Sequence, residues 1–259
     1  MTTVDRIAYT SKLKDMSPAI KAGLAVSTLL GVLVASQNVF SVAVFALMTA
    51  LCTAGSGLPL RQYRKMCAIP FWFLLAGAAV VAVGFSEAPA GLWHVRIFGV
   101  YLVVTLDSLR RALELFLRSM AGVSCLYFLC VTTPVNDLLG LLNRMHAPKL
   151  LTELMMMIYR FIFLLAGLAG QMAVAQKARL GNAGYRASLR SVSMLASSVF
   201  VCAFQKSAAI YDAMESRGYD GNFDFTGELS RSTGRQRLIF AAYEVLLIGA
   251  VVAVKWIAG

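Results

Sequence analysis

Long apolar runs separated by short polar stretches dominate the chain. Such runs occupy 22–36, 39–54, 66–85, 97–106, 161–175 and, apart from Glu244, 238–254. A bilayer-spanning helix needs about 20 mostly apolar residues, and the shorter runs reach that length with flanking residues or by tilting. The pattern therefore predicts an all-α polytopic membrane protein with about five to seven transmembrane helices.

The segment 91–133 is open to two interpretations. Its stretch 107–119 (DSLRRALELFLRS) has three arginines and two acids at helical spacing. It is either a helix at the cytoplasmic interface between two spans or a helix lying along the membrane surface. The distribution of positive charge favours the cytoplasmic face, with 132–134 outside. The number of spans in this segment stays open by one or two.

Two long helices are predicted in the second half of the chain. No proline occurs between Thr152 and Arg179, which allows one helix of roughly 40 Å, longer than the hydrocarbon core. Its end is expected to project into the cytoplasm. Over 188–217 apolar residues recur with a period of 3.6 while serines fill the other face, which predicts a helix that is too polar to span and packs on its predecessor.

These elements predict three regions. They are N-terminal transmembrane helices with a polar lead-in, a cytoplasmic region of long helices, and a C-terminal transmembrane helix. Their expected bounds are 1–175 (lead-in 1–21), 176–236 and 237–259.

Composition supports a membrane protein. Hydrophobic residues make up 59% and charged residues 14%, against about 25% charged in soluble domains. The net charge of +11 is not accompanied by a nucleic-acid-binding motif, so we expect no nucleic-acid partner. It indicates a positive-inside bias and contact with anionic membrane lipid. The five cysteines form no CxxC pair and are predicted to be small buried apolar residues.

Catalytic and metal motifs are missing from the sequence. There is no GxxxxGK[ST] phosphate loop, so this chain is not expected to hydrolyse ATP. His94 and His146 have no second ligand at helical spacing, so no metal site is predicted. A polytopic membrane enzyme would need a nucleophile or clustered acids and histidines, and a secondary transporter would show inverted repeats. Neither alternative finds support in the residues.

Two helix ends carry a repeated pattern of a small residue, an arginine and a glycine. The stretches are QKARLG (176–181) and MESRGYDG (214–221). Ordinary helix capping accounts for either one alone, since glycine suits the left-handed residue after a helix and arginine favours its last turn. Because the pattern occurs twice, we favour docking on a partner present in two copies or on a pair of similar partners, with each planar guanidinium reaching carboxylates or carbonyls. The candidate docking residues are Ala178, Arg179, Gly181, Ser216, Arg217 and Gly218.

Other polar residues are assigned supporting roles. Asp212 and Glu215 are expected to pair with Arg217 or with basic residues of the partner. Tyr159 and Arg160 lie inside an apolar segment, where a charge usually marks function. We predict an intramembrane polar lock there, with the acid supplied by Glu153, Glu114 or Asp107; snorkelling of Arg160 towards water is the alternative.

The chain resembles the transmembrane T component of energy-coupling factor (ECF) transporters, most closely the CbiQ type that serves cobalt uptake. The matching pieces cover nearly the whole chain in order: DRIAYTSKLKDMSP near the start, TTP at 132–134, YRFIF at 159–163, AQKARLG and AMESRGYDG. The chain departs from the common Ala-Arg-Gly form at Leu180, which separates arginine from glycine, and at Ser216, which replaces alanine.

The resemblance implies a non-catalytic coupling subunit of an ATP-driven importer in a prokaryotic plasma (inner) membrane. Arg179 and Arg217 would each contact one of two cytoplasmic ABC-type ATPases, and the small residues beside them would shape the two tips. A separate CbiM-like membrane subunit, the S component, would bind the substrate. No cofactor is expected in this chain: ATP and magnesium belong to the ATPases, and cobalt or nickel to the S component. An importer for nickel or a vitamin is the alternative.

Overall fold

The computed structural model describes residues 7–9, 11, 13, 16–35, 37–86, 93–97, 100–181, 183–219 and 233–258. Within these ranges the chain is mainly helical. The helices longer than one turn are α1 Pro18–Val34, α2 Asn38–Ala50, α3 Leu60–Ala82, α4 Leu106–Thr132, α5 Val135–Arg144, α6 Lys149–Ala178, α7 Tyr185–Glu215 and α8 Gly234–Ala258. Strands β1 Gly84–Ser86, β2 Trp93–Ile97 and β3 Val100–Val104 form a small antiparallel sheet with β3 in the middle.

Six helices in the described ranges are long and apolar enough to cross a membrane. They are α2 with its π-helical extension Leu51–Gly55, α3, α4, α6, α7 and the part Gly234–Ala253 of α8. Helix α1 is apolar but has only 17 residues. The predicted class of an all-α polytopic membrane protein is confirmed, and six lies within the predicted five to seven spans.

The segment 91–133 differs from both interpretations of its sequence. The run 97–106, expected to contribute a span, instead holds the end of β2, all of β3 and the first residue of α4. Ten residues are too few to span as a helix, and this run is rich in the β-branched and aromatic residues that favour strands. The stretch 107–119 is not a separate helix, because α4 continues through it to Thr132. A capping box between Thr105 and Ser108 starts α4, with both hydrogen bonds at 3.1 Å.

The two long helices occur where the sequence predicts them. The proline-free stretch after Pro148 forms α6, of 30 residues, and the following amphipathic stretch forms α7, of 31 residues. By length and composition α7 also qualifies as a candidate span, and the expectation that it does not span stays a prediction. Its serines cost less than their polarity suggests, because a helical hydroxyl can bond to its own backbone; the Ser193 hydroxyl donates to the Arg190 carbonyl at 2.9 Å.

The described residues divide into two compact units. One lies within Leu139–Glu228 and contains α6 and α7, and the other lies within Thr2–Leu138 and Leu229–Gly259. The core of the second unit is formed by α1 to α4 and contains Ala25, Met48, Cys52, Ala121 and Cys125. The predicted burial of cysteines is confirmed for Cys52 and Cys125, whereas Cys67 and Cys202 are half-buried and Cys130 is exposed; all five are free thiols.

Helix α8 packs against α1 through small residues. A Cβ atom placed on Gly31 would lie 3.3 Å from Leu247, so the glycine allows the two backbones to approach closely. At the same interface the Ser27 hydroxyl donates to a Glu244 carboxylate oxygen at 2.6 Å. This bond gives a partner to the one carboxylate in the apolar run 238–254.

The N-terminal segment and the TTP stretch meet at the end of α4. The ammonium group of Lys21 is fully buried and donates to the carbonyl oxygen of Thr132 at 3.1 Å. Thr132 is the last residue of α4, so its carbonyl has no amide donor within the helix and needs another partner. The Asn136 side chain also donates to the Tyr9 hydroxyl at 3.1 Å. Two segments far apart in the sequence are therefore joined here.

Candidate functional site at two helix ends

Helix α6 ends in a Schellman motif, formed by residues 176–181 and called here the Arg179 tip. The Gly181 amide donates to the Gln176 carbonyl at 2.9 Å, and the Leu180 amide donates to the Lys177 carbonyl at 3.1 Å. Leu180 has φ +58°, so a leucine occupies the left-handed position that usually belongs to glycine. Arg179, at the preceding C-cap position, is exposed.

Helix α7 ends in the same motif, formed by residues 214–219 and called here the Arg217 tip. The Tyr219 amide donates to the Met214 carbonyl at 3.1 Å, and the Gly218 amide donates to the Glu215 carbonyl at 3.0 Å. Gly218 has φ +80° and takes the left-handed position. Arg217 directly precedes it, as Arg179 precedes Leu180, and is also exposed. The two arginines thus occupy equivalent positions.

The two glycines of the sequence pattern are not structurally equivalent. Gly218 corresponds to Leu180, whereas Gly181 corresponds to Tyr219. Gly218 provides a positive φ, and a Cβ atom there would meet no atom within 4 Å. A Cβ atom on Gly181 would lie 2.9 Å from the Gln176 carbonyl oxygen and 2.9 Å from the Ser191 hydroxyl. Gly181 is therefore required by close packing, not by its backbone angle.

Both tip arginines are available to a partner. Neither Arg179 nor Arg217 forms an ion pair with any described residue. The predicted pairing of Arg217 with Asp212 or Glu215 is thus not formed in the described part of the chain, and both acids are exposed. A guanidinium at a helix C-terminus is favoured by the helix dipole, which leaves its five donors free for recognition.

The small residues that precede the arginines lie on the surface. Ala178 and Ser216 are both exposed. The Ser216 hydroxyl donates to the Ala213 carbonyl of its own helix at 3.0 Å. The replacement of alanine by serine therefore leaves the helix end intact, because the added hydroxyl is satisfied internally.

The two tips lie at opposite ends of α7. The Ser191 hydroxyl, near the start of α7, donates to the Gln176 side-chain oxygen in the Arg179 tip at 2.8 Å. The Arg217 tip is at the other end of this 31-residue helix, so the tips are about 39 Å apart, measured from Ser191 to Arg217 at 1.5 Å per residue. No single partner pocket can hold both arginines at that distance.

Tyr159 and Arg160 occupy the first half of α6. The Tyr159 ring packs edge-on against Phe163, with ring centroids 5.0 Å apart. Arg160 is exposed and forms no ion pair with a described residue; Glu114, one of its candidate partners, lies 3.5 Å from Arg110. Arg160 instead lines a cavity between α6 and α7. The polar lock stays a prediction.

Ligands for a metal ion do not cluster in the described ranges. They contain no group of three or more histidine, cysteine, aspartate or glutamate side chains that could hold one. His146 lies two residues after the end of α5 and has φ +63°. Its amide donates to the Asn143 carbonyl at 3.1 Å. This histidine thus has a helix-ending conformation.

Three features of the tips were not predicted from the sequence. Tyr219 could have been found, since an apolar residue commonly follows the left-handed residue and packs back onto the helix. Leu180 gives no such signal, because a leucine rarely adopts positive φ. The hydrogen bond between Gln176 and Ser191 depends on how α7 folds back, and no local sequence pattern predicts it.

The fold and the tips define a multi-pass helical membrane protein with two exposed arginine-bearing helix ends. Comparison with known proteins shows its family. The chain belongs to the CbiQ family of cobalt transport proteins, which matches residues 10–226. It is therefore a membrane component of the cobalt transport class.

Relatives cover most of the chain. The cobalt transport protein CbiQ of Salmonella typhimurium is 29% identical over 226 residues, covering 86% of this chain and 99% of its own length. An uncharacterised protein of Methanocaldococcus jannaschii is 28% identical over 245 residues, covering 95% of this chain and 91% of its own. A putative fused cobalt transport protein CbiMQ of Methanocorpusculum labreanum is 29% identical over 250 residues, covering 96% of this chain but 42% of its own length.

Proposed function

We propose that this chain is the non-catalytic coupling subunit of an ATP-driven ECF importer for cobalt. It lies in a prokaryotic plasma membrane with both tips on the cytoplasmic side, so α7 does not cross the bilayer although its length and composition would allow it. Each tip docks on one of two ABC-type ATPases, which bind ATP and magnesium, while a CbiM-like S component binds cobalt. ATPase closure moves the tips, and α6 and α7 transmit that movement to the S component.

The observation that carries this proposal is the equivalence of the two arginines. Arg179 and Arg217 share one position in two Schellman motifs, and both are exposed and unpaired among the described residues. Two copies of one partner surface would meet two copies of one recognition element. The separation of about 39 Å along α7 matches a pair of partners side by side better than one partner.

Long helices suit the transmission of force. Coupling requires that the partner contact differ in free energy between two states. A change in the spacing of two docking sites would act on both ends of α7 at once, and a helix of 31 residues is stiff enough to carry it. The fused CbiMQ relative supports a CbiM-like partner, since fusion keeps cooperating chains together.

Charge reversal at the tips tests docking. Arg179→Glu or Arg217→Glu should leave membrane insertion intact and weaken co-purification with the ATPases, and the double variant should abolish cobalt uptake. Arg186→Glu and Arg190→Glu are matched controls, because both arginines are exposed on α7 outside the tips. Normal uptake by the double variant would refute the docking role.

The substrate is tested separately. Uptake of radioactive cobalt, nickel and a vitamin would be compared in cells that express this chain with its ATPases and S component. Selective cobalt uptake is expected. Uptake of nickel or a vitamin in its place would keep the coupling role and change the substrate.

A further inference from the structure

The cavity between α6 and α7 has a volume of about 760 Å³, within the range of about 300–1,000 Å³ typical of small-ligand sites. One face of each helix lines it. On α6 the lining residues recur at helical spacing through Glu153, Met157, Arg160 and Leu164, and on α7 the lining face runs to Arg217. Two helices thus build one site from regularly spaced side chains.

The lining of the cavity combines apolar side chains with a few charged ones. Its walls are mostly methionine, phenylalanine, leucine and isoleucine side chains. Two guanidinium groups, from Arg160 and Arg217, stand among them, and neither forms an ion pair with a described residue. With Glu153 the lining carries one net positive charge. Docking at the tips involves Arg217 but not Arg160.

We propose that this cavity binds one anionic phospholipid, with its phosphate held by Arg160 and Arg217 and part of an acyl chain against the apolar walls. A planar guanidinium binds phosphate oxygens in a bidentate manner, and basic pockets between membrane helices suit anionic headgroups. Flexible methionines such as Met156, Met157 and Met214 fit an irregular chain. Free phosphate would use the arginines alone, so the apolar walls favour the lipid.

The site has a consequence for the Arg217 tip. A phosphate that holds Arg217 inside the cavity competes with a partner that needs the same guanidinium. The Arg179 tip contributes no residue to this lining. Anionic lipid would therefore weaken docking at one tip and not at the other. This consequence rests on the proposed function, whereas lipid binding itself does not.

Lipid binding is measured on the isolated full-length chain, so its failure is distinct from a failure of ATPase docking. Phosphatidylglycerol, phosphatidylcholine and inorganic phosphate would each be titrated into detergent-solubilised protein, and retained lipid counted by native mass spectrometry. We expect saturable retention of phosphatidylglycerol alone. Arg160→Gln should weaken it about tenfold, as expected for loss of one charge-assisted bond.

Two further variants separate the cavity from general surface charge. Ala213→Trp should reduce retention with both arginines present, because Ala213 lines the cavity. Arg186→Gln should bind as the unchanged chain does, because this exposed arginine is outside the lining. Size-exclusion profiles identify any variant that fails to fold. Equal retention of phosphatidylcholine, no retention, or unaltered retention by Arg160→Gln would each overturn the proposal. Retention of inorganic phosphate in place of phosphatidylglycerol would overturn it as well.

Discussion

Alanine in place of Gly181 should loosen the Arg179 tip by a steric clash. Its Cβ atom would lie 2.9 Å from the Gln176 carbonyl oxygen, closer than real Cβ contacts allow. The same oxygen accepts the Gly181 amide bond, and the Gln176 side chain accepts the bond from Ser191. Loss of both bonds, at about 1 kcal/mol each, predicts local destabilisation of about 2 kcal/mol.

Gly218→Ala is the matched comparison, because it changes the other tip for a different reason. No atom lies within 4 Å of its Cβ position, but φ is +80°. The left-handed conformation costs a non-glycine residue about 1 kcal/mol, and no packing is disturbed. Gly218→Ala should therefore open the Arg217 tip less than Gly181→Ala opens the Arg179 tip.

Amide hydrogen exchange followed by mass spectrometry measures both tips directly. Exchange of the amides that close each motif should rise about thirtyfold in Gly181→Ala and about fivefold in Gly218→Ala, since 1.4 kcal/mol is a factor of ten. In each variant the unmodified tip serves as the internal control. An equal or larger effect at Gly218 would refute the argument that close packing requires Gly181.

Two predictions concern the other unit. Lys21→Met should lower the free energy of unfolding of the solubilised protein by about 2 kcal/mol in thermal denaturation, because the Thr132 carbonyl loses a charged donor. Lys65→Met, at an exposed position, is the control and should change little. Equal effects of the two substitutions would contradict the buried bond. Gly31→Leu should cost about 1–3 kcal/mol by overpacking against Leu247. A Cβ atom on Gly249 would meet no neighbour within 4 Å, so Gly249→Leu is the control. A neutral Gly31→Leu would show that α1 and α8 are not closely packed.

Local patterns were sufficient for several elements. The apolar runs predicted the membrane class, and the proline-free and amphipathic stretches predicted α6 and α7, because helical periodicity and breakers act over a few residues. The arginine near each helix end was predicted from a stretch of six residues at one tip and eight residues at the other. The run 97–106 was misread, since a short apolar run does not by itself distinguish a strand from a helix.

The sequence by itself determined the helical membrane class and the approximate positions of the two arginine tips, because each depends on neighbouring residues. Only the tertiary structure decided that Leu180 has the left-handed conformation that Gly218 has in the other tip. It also decided that Gly181 packs against Ser191 and that Arg160 and Arg217 line the same cavity. These relations depend on how α7 folds back along α6. Hydrogen bonding and packing across that turn join residues whose spacing in the chain carries no periodic signal.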